Sequence, residues 1–147
     1  MTRDEPLLAW RIWRLRLDAD RNVAEPVLES CIYGDEWPAL AAFSAACPLH
    51  DRPIVGCDCG IYAVTSREAA LDIARWAQSA VPHPVVVGQV LLWGRVFPYS
   101  LGYRAELAYP YALEIQARQE AEELEALTLE RALRDSYLVD VAVERAA

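Results

Sequence analysis

Residues 85–97 read VVVGQVLLWGRVF. Apolar side chains fall on both alternating faces of this run. That is the pattern of a strand covered on both sides, and so of a central strand. Gly88 and Gly94 interrupt it six residues apart, on one face, where another backbone can approach closely. PYSLG (98–102) supplies a turn, and YRAELAY (103–109) reads as the returning strand, with Tyr103, Ala105, Leu107 and Tyr109 on one face. A turn centred at 99–100 places Arg95 opposite Arg104 and diagonal to Glu106. Like charges facing each other need a counter-ion. Arg95, Arg104 and Glu106 are therefore candidate contacts for an anion or ligand, such as a phosphate or an acidic peptide, with Glu106 the simpler partner.

Working outward, LLAWRIWRLRL (7–17) reads as a strand, and VLESCIY (27–33) as its hairpin partner across the polar turn DADRN (18–22). ALAAFSAA (39–46) suggests a short helix. SREAALDIARWAQS (66–79) predicts a helix capped by Ser66, with Ala70, Ile73, Ala74 and Ala77 as its apolar stripe, widened by Leu71 and Trp76. PHP (82–84) stops it. Residues 112–135 predict a long helix with two apolar faces. Leu113, Ala117, Ala121, Leu124 and Leu127 form one; Ile115, Ala126, Leu129 and Leu133 form the other. YLVDVAV (137–143) alternates like a terminal strand.

The expected class is α+β: a mainly antiparallel sheet with one packed helix, a Cys/His loop and a long C-terminal helix. Residues 1–111 form the α+β zinc-loop domain. Residues 112–147, helix and terminal strand, belong to the same domain or extend from it. A helix with two apolar faces must bury both, which makes Ile115, Leu129 and Leu133 candidates to meet a protein partner or a second copy of the chain.

The 147 residues carry 54% hydrophobic side chains, enough for a core without crosslinks. No apolar run reaches the roughly 18 residues that span a bilayer. The N-terminal segment lacks the apolar core of a secretion signal. A cytoplasmic address with no membrane contact is the expectation. All 14 basic residues are arginine, and the net charge is −8. That balance disfavours a general polyanion binder, because neutralising phosphates takes surplus cations. WRIWRLR (10–16) nevertheless interleaves tryptophan with Arg11, Arg14 and Arg16, a pattern that can stack and neutralise single-stranded nucleic acid.

The specific chemistry lies in CPLHDRPIVGCDCG (47–60). Cys47, His50, Cys57 and Cys59 form C-x2-H-x6-C-x-C. Zinc favours four thiolate and imidazole donors in a tetrahedron. A tight turn brings Cys47 and His50 together. Cys57 and Cys59 share a side of an extended chain but stand about 6.6–7 Å apart along it, so they need a turn, which Gly60 allows. Four local donors describe a closed, structural zinc site, whereas a catalytic zinc keeps a position open for water. An iron–sulfur cluster would recruit Cys31 as a fourth thiolate. A thiol switch is the remaining reading, although C-x-C is not the usual redox spacing. The H-x-E and P-C-x-x-C pattern of nucleobase deaminases is missing, as are GxSxG, P-loop, GxGxxG and HExxH motifs.

CDCGIYA, GQVLLWGRV and GYRAELAYP, taken as a set, resemble a group of short actinobacterial and phage proteins that carry no activity to transfer. The likeness spans roughly residues 10–110. It implies that Cys57, Cys59, Gly60, Trp93 and Gly94 belong to a shared scaffold. The functional expectation is a non-enzymatic protein-interaction or adaptor module stabilised by structural zinc. The alternatives are a nucleic-acid binder using the Arg/Trp surface and a thiol/zinc redox sensor.

Overall fold

Strand β6 (Val85–Tyr99) runs through the middle of the sheet, with β1 (Thr2–Arg16) antiparallel on one side and β7 (Gly102–Ala117) on the other. A computed structural model describes residues 2–16, 26–31, 34–47, 49–50, 53, 56–80, 84–118 and 120–145. Val85, Val86, Val87, Val90 and Leu92 are all 0% exposed, as a doubly covered strand requires.

The hairpin closes one residue later than the sequence suggests. Tyr99 pairs with Gly102 around a turn at 100–101, so Arg104 faces Phe97 and not Arg95. A bulge absorbs the rest. Gly94 and Arg95 together oppose Glu106, and Gly94 adopts a φ of 75°, the left-handed conformation that opens this kind of bulge. A Cβ at Gly94 would lie 2.7 Å from Glu106 Oε1. A second bulge leaves Tyr111 unpaired between Pro110 and Ala112. Pro110 has no N–H to give. It sits where the far side of β7 passes from β4 (Phe43–Ser44) to β8 (Asp140–Arg145).

β2 (Val27–Glu29) pairs with the end of β1, and β3 (Glu36–Trp37) pairs with β2. The expected hairpin partner is thus present, though residues 32–33 and the turn at 18–22 lie outside the described residues. β5 (Ile61–Val64) pairs with β7 and meets β1 at Trp10↔Val64. The path β1–β6–β7–β5 therefore returns to β1 and closes a small circuit.

Helix α1 (Arg67–Ala80) covers one face of the sheet. Ser66 caps it, accepting the N–H of Ala69 at 3.2 Å. Ala70, Ala74 and Ala77 pack on Val64, Val85 and Val87. Three alanines allow a close approach, which turns the larger Ile73 and Trp76 outward at 39% and 62% exposure. The stop expected at 82–84 falls largely on residues outside the described set.

The C-terminal third departs most from expectation. Residues 112–117 are strand, not helix, and α2 spans Glu120–Tyr137. It covers the opposite face from α1. β8 then returns parallel to β7, the one parallel pairing among the described strands of a mainly antiparallel sheet. Ile115, Leu129 and Leu133 are each 0% exposed and sit in one core with Trp13, Leu15, Val86 and Leu113. They are not available to a partner. The break considered at 111/112 falls inside β7, and residues on both sides of it share that core. The stretch 39–46 holds β4 and no helix. Phe43 stacks on Trp37 with centroids 4.6 Å apart.

Tyr137 ties α2 to the strands. Its hydroxyl accepts the N–H of Leu28 at 3.0 Å and donates to the carbonyl of Trp37 at 2.7 Å. Tyr137→Phe strands both buried backbone groups and is expected to cost about 2–4 kcal/mol. Burial also lifts this phenol above its ordinary value of 10.0. The folded chain therefore prefers the neutral phenol: its contribution is whole below about pH 10 and drains away as pH climbs through the raised value. Urea titrations at about pH 7 and about pH 11 read both effects. The Tyr137→Phe variant should be the weaker at neutral pH, and the gap should narrow in alkali. Equal stability at neutral pH would show that neither hydrogen bond matters.

Candidate metal centre

Cys47 and His50 form an isolated antiparallel bridge, so the turn between them sends both side chains to one point. Gly56 and Gly60, at φ 90° and 130°, bracket Cys57–Cys59. These positive-φ positions bend the backbone on either side of the C-x-C segment, as glycine allows. Gly60 is also close-packed. A Cβ there would lie 3.2 Å from the Cβ of Arg104 and 3.3 Å from Cγ of Pro53.

The four expected ligands converge. One ligand atom from each of Cys47, His50, Cys57 and Cys59 can be chosen so that all lie within 4.8 Å of one another, an arrangement that can hold a metal ion. Zn–S bonds of about 2.3 Å and Zn–N bonds of about 2.0–2.1 Å imply tetrahedral edges of about 3.8 Å between sulfurs and about 3.6 Å from sulfur to nitrogen. Cys47 Sγ lies 3.9 Å from Cys57 Sγ and 3.6 Å from His50 Nε2. Cys59 Sγ lies 3.8 Å from the same Nε2 and 3.5 Å from Nδ1. Nε2 is thus the nitrogen near edge length from two sulfurs. The donor set fits a four-coordinate thiolate and imidazole metal. A backbone N–H at Leu49 draws the Cys47 thiol below its ordinary value, which favours the thiolate that a metal needs.

The sheet holds this loop through backbone carbonyls. Arg104 Nη1 donates to the carbonyl of Cys59 at 2.8 Å, and Tyr62 donates its hydroxyl to the carbonyl of Asp58. Arg95 reaches the carbonyl of buried Pro53 at 3.5 Å. On the other flank, the Ala45 N–H donates to the carbonyl of Glu106 at 2.8 Å, beside the β4–β7 pairing. Arg95, Arg104 and Glu106 thus cluster around the loop. Glu106 Oε1 accepts the Arg95 backbone N–H at 3.0 Å, and the Arg104 guanidinium lies 4.6 Å from the Phe97 ring centroid. Sequence reasoning missed the anchoring role of Arg104 and Pro53. Arg104 meets Cys59 across 45 residues of chain, and no local pattern announces that contact.

Cys31 is not in the cluster. It packs at the margin of the α1-side core, where burial raises its thiol above the ordinary value despite nearby Arg11. The Arg/Trp stretch turns inward. Trp13 is 0% exposed and Trp10 packs beneath α1. Arg14 and Arg16 both grip Glu29, at 2.9 and 3.0 Å. Arg11 donates to Ser30 Oγ at 3.0 Å and to the carbonyl of Tyr62, and lies over Trp37. Enclosure pulls its guanidinium down to about 10.

A surface hollow of about 300 Å³, lined by Trp10, Gln89, Glu114 and Asp140 among others, lies on the α1 side. Its Glu114 is already held by Arg67 through bonds of 2.7 and 3.0 Å. Among the described residues, no helix is long and apolar enough to cross a membrane. No protein-family model, curated protein or solved structure matches the chain.

Proposed function

We propose that Cys47, His50, Cys57 and Cys59 bind one Zn²⁺ in a closed structural site, and that the chain is a non-catalytic interaction module built around it. The donor spacing carries this reading: the contacts above lie near tetrahedral edge length for zinc bound to sulfur and imidazole. Four protein donors fill the position that a hydrolytic zinc keeps for water. Cys31 stands outside the donor group, which favours zinc over an iron–sulfur cluster built on four thiolates. A reducing, cytoplasmic compartment suits thiolates that must stay free to ligate.

Exposed Ile73 and Trp76, one helical turn apart on α1, support contact with a protein partner or a second copy. That surface replaces the C-terminal helix in the interaction reading. Nucleic acid is the weaker alternative, because Arg14 and Arg16 are ion-paired with Glu29 and Glu36.

Elemental analysis of the purified chain, run beside its absorption spectrum, tests the metal. About one zinc per chain with no visible band is expected, and Co²⁺ exchanged into the site should give the intense visible bands of tetrahedral thiolate ligation. Iron with a visible band, or no metal after anaerobic reconstitution, would overturn the reading.

A further inference from the structure

We propose that the centre is also a redox site, in which a hydroperoxide oxidises Cys47 and Cys57 to a disulfide and releases the metal. The inference rests on the zinc reading above and adds its regulation. Cys47 Sγ and Cys57 Sγ stand 3.9 Å apart and belong to residues ten positions apart, so the bridge closes an ordinary loop. A disulfide needs about 2.05 Å between sulfurs. The remaining approach is a small movement for two partly exposed side chains. A bridge between Cys57 and Cys59 would instead close a tight ring between residues two apart, at the cost of strain.

Cys59 is the fixed member of the set. Arg104 holds its carbonyl, and Gly60 packs against the Cβ of Arg104 and the backbone N of Ala105. Cys47 also touches Cys59, so Cys47–Cys59 is the competing bridge; the anchoring of Cys59 to β7 favours Cys57 as the partner.

The chemistry balances with the peroxide as the sole oxidant. One thiolate sulfur attacks the terminal peroxide oxygen and the O–O bond breaks; a sulfenic acid forms, and the departing hydroxide, or the alkoxide of an organic hydroperoxide, takes a proton to become water or the alcohol. The second thiolate attacks the sulfenic sulfur. The S–S bond forms, the S–O bond breaks, and the second hydroxide leaves as water with another proton. Two thiolates lose two electrons, the peroxide gains them, and Zn²⁺ departs with its charge unchanged. His50 and Cys59 remain, and two donors are too few to hold zinc tightly.

The test uses the full chain loaded with zinc. Metal content is measured first; hydrogen peroxide is then added, free zinc is followed with a chromogenic chelator, and alkylated peptides are mapped by mass spectrometry. The expected result is loss of about one zinc and two titratable thiols per chain, a Cys47–Cys57 bridge, and zinc rebinding after dithiothreitol. A chain that binds no zinc before oxidant overturns both the zinc reading and this one. Zinc that binds but stays bound under peroxide, while Cys31 is oxidised, overturns only the release. Release with a Cys47–Cys59 or Cys57–Cys59 bridge, or with sulfinic acid, overturns the assigned pair.

Discussion

Gly102→Ala is expected to destabilise the chain by at least about 4 kcal/mol, the range reserved for severe core lesions. Gly102 pairs with Tyr99 of β6 on one side and Val64 of β5 on the other. An added Cβ would lie 2.0 Å from the carbonyl oxygen of Ala63, 2.7 Å from Cα of Val64 and 2.9 Å from the Ala63 carbonyl carbon. All three are backbone atoms, so no side chain can rotate away. Overpacking usually costs about 1–3 kcal/mol, because neighbours adjust. Here the adjustment must push β5 off β7, which also strains the Trp10↔Val64 bridge that closes the circuit. Against a typical total of about 5–15 kcal/mol, little stability is left. The melting temperature should fall by on the order of 12 °C or more. Gly56→Ala is the control: its φ of 90° imposes backbone strain, but nothing lies within 4 Å of the new atom. It should cost about 1–2 kcal/mol. Urea unfolding of both variants with zinc bound checks this. A loss under about 1 kcal/mol at Gly102 would mean that the strands are not this close.

The sequence announces what is local and hides what is not. β6 was legible because both faces of one short run are apolar. Helix α1 was legible from Ser66 and a stripe of alanines. The four ligands were legible because they crowd into one loop with glycines beside them. Residues 112–117, ALEIQA, misled because Ala, Leu, Glu and Gln favour helices in isolation. Pairing with β6 on one side and β8 on the other overrides that preference. Starting α2 at Glu120 removes Leu113 and Ala117 from the expected first face and leaves Leu127, its described member on α2, exposed. Once α2 begins at Glu120, Ala126, Leu129, Leu133 and Tyr137 fall within one narrow arc at 100° per residue, and all four are buried. ALAAFSAA misled in the same way. Its place is set by Phe43 stacking on nearby Trp37 and by two residues of pairing with β7, the latter made far along the chain.

Stripping the zinc, or replacing a ligand as in Cys59→Ser, should melt the segment between 38 and 60 while β1, β6 and β7 stay paired. The balance within that segment decides this. Apart from the metal, its described residues are held by contacts that include the Phe43 stack, the short β4 pairing, the Leu40 N–H on the Tyr109 hydroxyl, the Tyr62 hydroxyl on the Asp58 carbonyl, and the Ala45, Cys59 and Pro53 contacts to β7 and β6. Hydrogen bonds of this kind give about 0.5–1.5 kcal/mol each. Ordering a segment of roughly twenty residues costs about 1–2 kcal/mol for each residue fixed. Most described side chains from 38 to 46 are exposed, so burial offsets little of that cost. A structural zinc, worth on the order of 10–16 kcal/mol in small zinc domains, is large enough to reverse the sum. The sheet has no such debt. Its core of Trp13, Leu15, Val86, Leu113, Ile115, Leu129 and Leu133 is complete without the loop. The damage that does reach the core is the uncovered face of Trp37, comparable to truncating Phe43, about 3 kcal/mol. Amide exchange after chelation should therefore show protection lost at Phe43–Ser44 and in 56–60 but kept along β6 and the 112–117 half of β7, with Cys31→Ser changing neither. Exchange throughout the chain would make the metal a condition for the whole fold. Unchanged protection in the loop would mean that its contacts suffice alone, and that the centre serves something other than structure.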